Sequence, residues 1–182
     1  MRKKGMAWGL VVALVLALVF PAAALAAPPE TVSIEATGYI TGITPGDVFP
    51  AGDGWIVRSR DIYGTLSGDI EGNFTLTYKA KVDSYQAGWF HGTLAVDGWP
   101  RIKVKGVSQP VQLVPVGGGR FLLQVTIGGR WWVTGNVNAR GTLDASFLAI
   151  PVLDEYGNVH IGEVVQSQVT LAGTRRPTGK GQ

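Results

Sequence analysis

Residues 74–82 read Phe-Thr-Leu-Thr-Tyr-Lys-Ala-Lys-Val and alternate between apolar and polar side chains over nine positions. Successive side chains of a β-strand point to opposite faces, so the alternation predicts a strand with one buried and one solvated face. We find no stretch with helical periodicity. Further strands are predicted by similar patterns at 32–41, 55–66, 88–96, 101–105, 111–116, 121–127, 131–137, 140–150 and 159–171.

Short turns separate these predicted strands. Motifs such as Asp97-Gly98, Gly117-Gly118-Gly119, Gly128-Gly129 and Tyr156-Gly157-Asn158 favour positive φ or tight turns. Many short strands joined by such turns predict an all-β fold, namely an antiparallel β-barrel of about 8–10 strands. The alternative is a β-sandwich, if the sheet does not close on itself.

Two other features of the strand pattern have open interpretations. Gly-Thr-Leu recurs at 64–66, 92–94 and 141–143. We favour chance in a strand-rich composition, and the alternative is a repeated barrel position where Gly relieves crowding at bends. Residues 42–54 form a long connection with Pro and Gly, which is either a lid over a barrel mouth or a plain surface connection.

The first 26 residues have the layout of a secretory signal peptide. Arg2, Lys3 and Lys4 precede an apolar run of eleven residues, Leu10 to Phe20, and Ala24-Leu25-Ala26 offers a cleavage site. The run is short for a membrane span, which needs about 20 residues. We therefore predict a secreted protein, extracellular, periplasmic or on the cell surface, that meets the membrane only through this segment. The predicted organisation is 1–26 signal peptide, 27–174 β-barrel and 175–182 disordered tail.

Composition excludes several classes of function. The chain has 16 basic and 13 acidic residues, and removal of the three basic residues of the signal peptide leaves 13 of each. A neutral domain does not predict nucleic-acid binding. The absence of Cys excludes disulfides and thiolate ligands, and two His residues exclude a multi-histidine metal site. We expect neither a metal nor a cofactor.

Catalytic motifs are not found. No Ser lies in a Gly-x-Ser-x-Gly setting, and no Gly-rich loop precedes a helix. Asp69 and Glu71 are spaced as paired carboxylates, but they occur in the Gly-flanked segment 67–72, which indicates a solvated hairpin rather than a glycosidase pair. We predict no catalytic residues, although an enzyme remains an alternative.

Aromatic residues supply most of the candidate ligand-binding positions. Trp131 and Trp132 are adjacent on a predicted strand, so they face opposite sides of the sheet, and at most one is in a one-sided core. An outward Trp can stack on a sugar ring or pack against a partner. A ligand inside the barrel needs inward polar groups. Our candidates are Trp89, Trp99 and Trp132 for a sugar, and Tyr63, Tyr78 and His91 for an interior ligand.

Basic side chains occupy alternate positions on three predicted strands. If these strands are neighbours, the rows merge into a cationic patch that suits an anionic polysaccharide. The alternative is a solvated outer face that protects strand edges from aggregation. The rows are Arg58 with Arg60, Lys79 with Lys81, and Arg101 with Lys103 and Lys105.

The Gly-spaced segment 64–78, Gly-Thr-Leu-Ser-Gly-Asp-Ile-Glu-Gly-Asn-Phe-Thr-Leu-Thr-Tyr, resembles the hairpins of secreted calycin-like barrels. Allene-oxide-cyclase-like and dirigent-like proteins share this style. The resemblance implies an eight-stranded antiparallel barrel with an apolar interior for a small ligand. It carries no catalytic residues to this chain.

The sequence therefore predicts a secreted, non-enzymatic β-barrel protein with an extracellular binding or structural role. One alternative is a barrel that binds a small apolar ligand, or acts on it as an isomerase or cyclase. A second alternative is a carbohydrate-binding module. The expected partners are a small apolar ligand or an extracellular polysaccharide, not nucleic acid, and self-association through strand edges is a further alternative. Two observations discriminate between these hypotheses: whether the barrel interior is hollow or filled, and whether His91 lies inside or outside it.

Overall fold

The computed structural model describes residues 30–133, 137–153 and 159–176. The predicted signal peptide, 1–26, and the predicted turn at 156–158 lie outside these ranges. No helix in the described ranges is long and apolar enough to cross a membrane. The strands are β1 (Val32–Ile43), β2 (Asp47–Ala51), β3 (Gly54–Gly68), β4 (Gly72–Asp83), β5 (Gly88–Val96), β6 (Ile102–Ser108), β7 (Gln112–Gly117), β8 (Arg120–Val133), β9 (Asn138–Leu153) and β10 (Val159–Arg176).

Eight of these strands form a closed antiparallel barrel, in the order β1-β10-β9-β8-β6-β5-β4-β3. Pairing of β1 with β3, which aligns Ala36 with Gly68 and Ile40 with Gly64, closes the ring. The strands β2 and β7 lie outside it, β2 paired with β3 and β7 with β8. The all-β class and the barrel are thus confirmed, and closure excludes the sandwich.

The barrel interior is apolar because one side of each strand carries the hydrophobic half of the alternating pattern. In β4, for example, Phe74, Leu76, Ala80 and Val82 are buried while Lys79 and Lys81 between them are exposed. Their equivalents on the other strands complete the core, which includes Ile62, Leu94, Val104, Val125, Trp131, Leu143, Phe147 and Leu171.

Inward-facing glycines allow neighbouring strands to approach each other closely. A Cβ on Gly64 would lie 2.5 Å from the Phe74 ring, and one on Gly106 would lie 2.8 Å from the Phe90 ring. Gly92 and Gly141 likewise face the backbone of the adjacent strand. Gly64, Gly92 and Gly141 begin the three Gly-Thr-Leu segments, but Gly54 and Gly88, outside these segments, approach their neighbours equally closely. The recurrence of the motif is therefore compatible with either interpretation.

Gly128-Gly129 does not form the turn that the sequence predicts. Both residues lie inside β8, which runs without a break from Arg120 to Val133 and joins two predicted strands. A Cβ on Gly129 would lie 2.5 Å from the Lys105 carbonyl oxygen on β6. The glycine therefore permits a close approach of two strands rather than a reversal of the chain.

The two ends of the barrel differ. At one end the β3–β4 turn inserts Ile70, which is fully buried, and Trp99 packs against the core from the β5–β6 turn. At the other end, β2 and β7 extend beyond the ring and flank an open mouth. The long connection at 42–54 includes β2, and Val48 of that strand lines the mouth.

The last strand is longer than the sequence predicts. Arg175 and Arg176, assigned to the tail, pair with Ala139 and Asn138 of β9, and Arg175 also pairs with Val32 of β1. Backbone pairing with two neighbours thus extends the barrel domain by two residues. The rest of the predicted tail, 177–182, lies outside the described residues.

Candidate functional site

A row of four side chains crosses the outer face of β4, β5, β6 and β8. Strand pairing places Lys79 opposite His91, His91 opposite Lys105, and Lys105 opposite Arg130. All four are exposed. Since neighbouring strands are about 4.8 Å apart, this row, named the cationic row for Lys79, Lys105 and Arg130, is about 14 Å long.

Two tryptophans flank the cationic row. The Trp89 and His91 rings are stacked at 5.5 Å between centroids with 12° between their planes, and Trp89 remains 49% exposed. On the other side, the Lys105 Nζ lies 5.8 Å from the centroid of the Trp132 ring. Such a geometry is a cation–π contact, which holds the ammonium next to an aromatic surface.

A shallow groove of about 520 Å³ runs across the centre of the row. Its floor is formed by glycines, Gly106, Gly128 and Gly129, and its walls carry Trp89, His91, Lys105 and Arg130. Because the floor residues are glycines, a flat ligand can approach the backbone there. It would then lie between the Trp89 ring on one side and the Lys105 and Arg130 side chains on the other.

The charge on this face is largely of one sign. Lys81, Lys103 and Arg140 are also exposed on β4, β6 and β9. By strand pairing, two acids lie diagonal to the ends of the row, Asp61 opposite Thr77 and Asp144 opposite Gly128. Within the described ranges, no carboxylate forms an ion pair with Lys79, Lys105 or Arg130. Cations without acidic partners produce a positive local potential, although the domain as a whole is balanced in charge.

The structure brings together three of the six predicted ligand-binding residues. Trp89, His91 and Trp132 share the outer face of β5 and β8, and Trp131 is the buried member of the Trp pair at 1% exposure. Trp99 lies apart from them, in the turn at the sealed end, where its backbone N–H donates to the Val96 carbonyl oxygen at 3.1 Å.

The three residues predicted to bind an interior ligand do not lie together. Tyr78 faces the interior, whereas Tyr63 and His91 point outwards. Tyr63 donates a hydrogen bond to Asp61 Oδ2 at 3.3 Å. Partial desolvation, and then the negative charge of Asp61, raise the pKa of Tyr63. The sequence left open whether His91 lies inside or outside the barrel, and the structure places it outside.

Arg60 does not share a surface with Arg58, contrary to the predicted basic row. Ser59 adopts a positive φ of 54°, and the β3–β4 pairing shifts between Val57 and Arg60. This bulge turns the Arg60 side chain into the barrel, where it is 8% exposed, while Arg58 stays outside near the Phe49 ring. A bulge of this kind inserts one residue and re-aims the next side chains.

The barrel interior is mostly filled. Two internal cavities have volumes of about 50 and 20 Å³, too small for an apolar molecule of ordinary size. The larger one lies beside Arg60 and Tyr78 and leads to a vestibule of about 450 Å³ at the open mouth. Burial raises the pKa of Tyr78, against the lowering effect of the Arg60 charge and hydrogen bond.

The Asp69–Glu71 segment has a structural role. Asp69 Oδ2 accepts a hydrogen bond from the Glu35 backbone N–H at 2.9 Å, so this carboxylate fixes the turn to β1 while Ile70 between the two acids seals the barrel. Across the described ranges, no three His, Asp or Glu side chains converge as metal ligands.

Sequence reasoning missed Arg130 of the outer site and placed Arg60 of the mouth on the wrong face. Arg130 alternates with Trp132, so the sequence could predict that both lie on the outward face of β8. The position of Arg130 beside Lys105, however, depends on strand pairing. Arg60 had no such signal, since the Ser59 bulge has no clear mark in the sequence.

Comparisons of the chain with protein-family models, with curated proteins and with solved structures give no match. The function must therefore be inferred from the geometry of the outer face and the barrel mouth.

Proposed function

We propose that this chain is an extracellular, non-enzymatic binding protein that holds an anionic polysaccharide on the outer face of β4, β5, β6 and β8. The observation that carries the proposal is the cross-strand row of Lys79, His91, Lys105 and Arg130, with Trp89 stacked beside it. Export through the predicted signal peptide is part of the proposal, because it places this face where such polymers occur.

The chemistry of the row suits a chain of acidic sugars. Lysine and arginine bind carboxylate or sulfate groups through charge-assisted hydrogen bonds, and the strands space the four side chains of the row at intervals of about 4.8 Å. The exposed Trp89 surface provides an apolar platform for the face of a sugar ring. The glycine floor of the groove leaves room for the ring between Trp89 and Arg130.

The packing of the interior favours an outer site over a ligand enclosed in the barrel. The two spaces inside the barrel hold about 50 and 20 Å³, whereas sites for a drug-sized ligand have about 300–1,000 Å³. The outer face instead presents exposed aromatic and cationic groups whose backbone positions are already fixed by strand pairing.

The experiment compares polygalacturonate with its fully methyl-esterified form, which has the same sugar chain without the charge. We expect the protein, without residues 1–26, to bind polygalacturonate at low ionic strength, to lose affinity as salt is added and to bind the ester weakly. Lys105→Gln and Trp89→Ala should each weaken binding about three- to tenfold, the equivalent of about 1 kcal/mol. Arg120→Gln, the same loss of charge on the exposed end of β8, is the matched control.

Three outcomes would contradict the proposal. One is no binding of polygalacturonate by the folded protein at low salt. Another is an equal loss of affinity for Arg120→Gln and Lys105→Gln, which would indicate a diffuse effect of net charge. The third is tighter binding of single-stranded DNA than of polygalacturonate, which would assign the row to phosphate and base stacking instead.

A further inference from the structure

Arg60 is a buried cation without an acidic partner. It is 8% exposed, and its Nε donates a hydrogen bond to the Pro45 carbonyl oxygen at 2.8 Å. In the described part of the chain, no carboxylate forms an ion pair with it. Arginine stays protonated in proteins, and burial of an unpaired charge is costly, so the site is best satisfied by an anion.

Tyr78 provides a second donor beside this charge. It lies directly opposite Arg60 in the β3–β4 pairing, and both side chains line the internal cavity of about 50 Å³. The Tyr78 ring packs edge-on against Phe90 with 6.2 Å between centroids, which holds the phenol in position. A cavity of this size accommodates a group a few atoms large, such as a carboxylate.

The approach to this polar corner is apolar. Val57, Arg60, Gln86, Val111 and Ile161 line both the internal cavity and the vestibule of about 450 Å³, so the two spaces are adjoining. The remaining wall of the vestibule is mostly hydrophobic, with Val48, Trp55, Leu113, Leu123 and Val159 from β2, β3, β7, β8 and β10. Its polar part consists of Ser84 and Tyr85 from the β4–β5 turn and His160 from β10. A volume of this size is typical of small-molecule sites.

We infer that the barrel mouth is a second binding site, for a small apolar molecule that carries a single carboxylate, with the carboxylate at Arg60 and Tyr78 and the apolar part in the vestibule. This site is independent of the proposed polysaccharide face, which lies on the opposite side of the sheet. One guanidinium with an adjacent phenol hydroxyl matches the charge of a monoanion, and the planar guanidinium matches a carboxylate in geometry.

The test is calorimetric titration of the protein with decanoate and, as the uncharged control, with decanol. We expect decanoate to bind more tightly than decanol. Arg60→Met should weaken decanoate binding at least tenfold and change decanol binding less than threefold, since methionine retains the apolar volume. Lys105→Gln, on the outer face, should leave decanoate binding unchanged, while it weakens polygalacturonate binding if the polysaccharide proposal is correct.

A backbone amide chemical-shift map of the wild-type protein keeps the test independent of the variant's folding. Decanoate should shift Val111 and Ile161 at the mouth rather than Trp89 and Lys105 outside. No decanoate binding, shifts confined to the outer face, or an Arg60→Met variant that binds decanoate as tightly as the wild type would each overturn the inference.

Discussion

The inner and outer faces of β8 use the same residue types for opposite purposes. Trp131 is 1% exposed and packs in the core, and a Cβ on the neighbouring Gly173 would lie 2.6 Å from its ring. Trp132, the next residue, lies outside beside the Lys105 ammonium. Gly129 faces the backbone of β6, whereas a Cβ on Gly128 would make only an ordinary contact, 3.5 Å from Asp144 Oδ1.

This difference shows that a role is set by the face of the strand and not by the type of residue. A shift of one position along a strand exchanges interior and exterior, so adjacent residues experience close packing or solvent. Stability is concentrated on the inner face, and the charged groups that could bind a polymer are on the outer face. Substitutions at pairs of neighbouring or matched residues can test this division.

The largest expected difference in stability is between substitutions of the two adjacent tryptophans. Trp131→Ala should reduce the free energy of unfolding by about 3–5 kcal/mol, because it leaves a large cavity in the core. Trp132→Ala should reduce it by about 1 kcal/mol or less, through loss of a partly exposed cation–π contact. Urea unfolding followed by circular dichroism measures both, and equal losses would show that the two faces do not differ.

The adjacent glycines of β8 should also differ, with the inward Gly129 more important for stability than the outward Gly128. Gly129→Ala should destabilise the barrel by about 1–3 kcal/mol, because the new Cβ would lie 2.5 Å from the Lys105 carbonyl oxygen. Gly128→Ala is the matched control, since its nearest atom, Asp144 Oδ1, is 3.5 Å away. Thermal unfolding of the two variants in parallel makes the comparison. A Gly128→Ala variant as unstable as Gly129→Ala would contradict the assignment of faces.

Arg60 is a charged exception on the inner face, and its removal should stabilise the protein. Arg60→Met should raise the free energy of unfolding by about 1 kcal/mol, because a buried unpaired cation is replaced by an apolar side chain of similar length. Arg58→Met, outside, should change it by less than about 0.5 kcal/mol. Urea unfolding measures both changes. A marked loss of stability in Arg60→Met would show that the hydrogen bond to Pro45 outweighs the burial of the charge.

The smallest expected effect is a pH dependence from Tyr78. Because burial raises its pKa in the folded state, Tyr78 stabilises the fold fully below the ordinary tyrosine pKa of about 10. That contribution is lost as the pH rises through the raised pKa. The wild type should therefore lose stability relative to Tyr78→Phe above about pH 10, as measured by urea unfolding at several pH values. Parallel curves for the two proteins would contradict the burial of the phenol.

Much of the fold was predictable from local patterns. Alternation in 74–82 correctly separates Phe74 and Leu76 from Lys79 and Lys81, and it predicts that Trp131 and Trp132 oppose each other. The sequence favoured a closed barrel but left a sandwich as the alternative, because closure depends on pairing between β1 and β3 that no local pattern encodes. The Gly128-Gly129 pair was interpreted as a turn, since a glycine needed for close strand approach looks the same in sequence.

The candidate site was less predictable than the fold. Trp89, His91 and Trp132 were selected individually, but only the pairing of β5, β6 and β8 brings them to one surface with Lys105 and Arg130. Arg60 was misplaced because a single residue, Ser59, leaves the regular strand conformation and turns the next side chain to the other face. Cross-strand neighbours and bulges depend on the tertiary structure, so local patterns in a single sequence do not predict them.

The pairing of β1 with β10 also determines when the barrel can close. Val32 lies opposite Arg175, and the Ile40 backbone N–H donates to Ser167 Oγ at 2.7 Å across 127 positions of sequence. Until β10 emerges, β1 and β9 each have an unpaired edge, so the ring cannot form before β10 has been synthesised. Such non-local pairing slows folding, which leaves time for the proposed export of an unfolded chain.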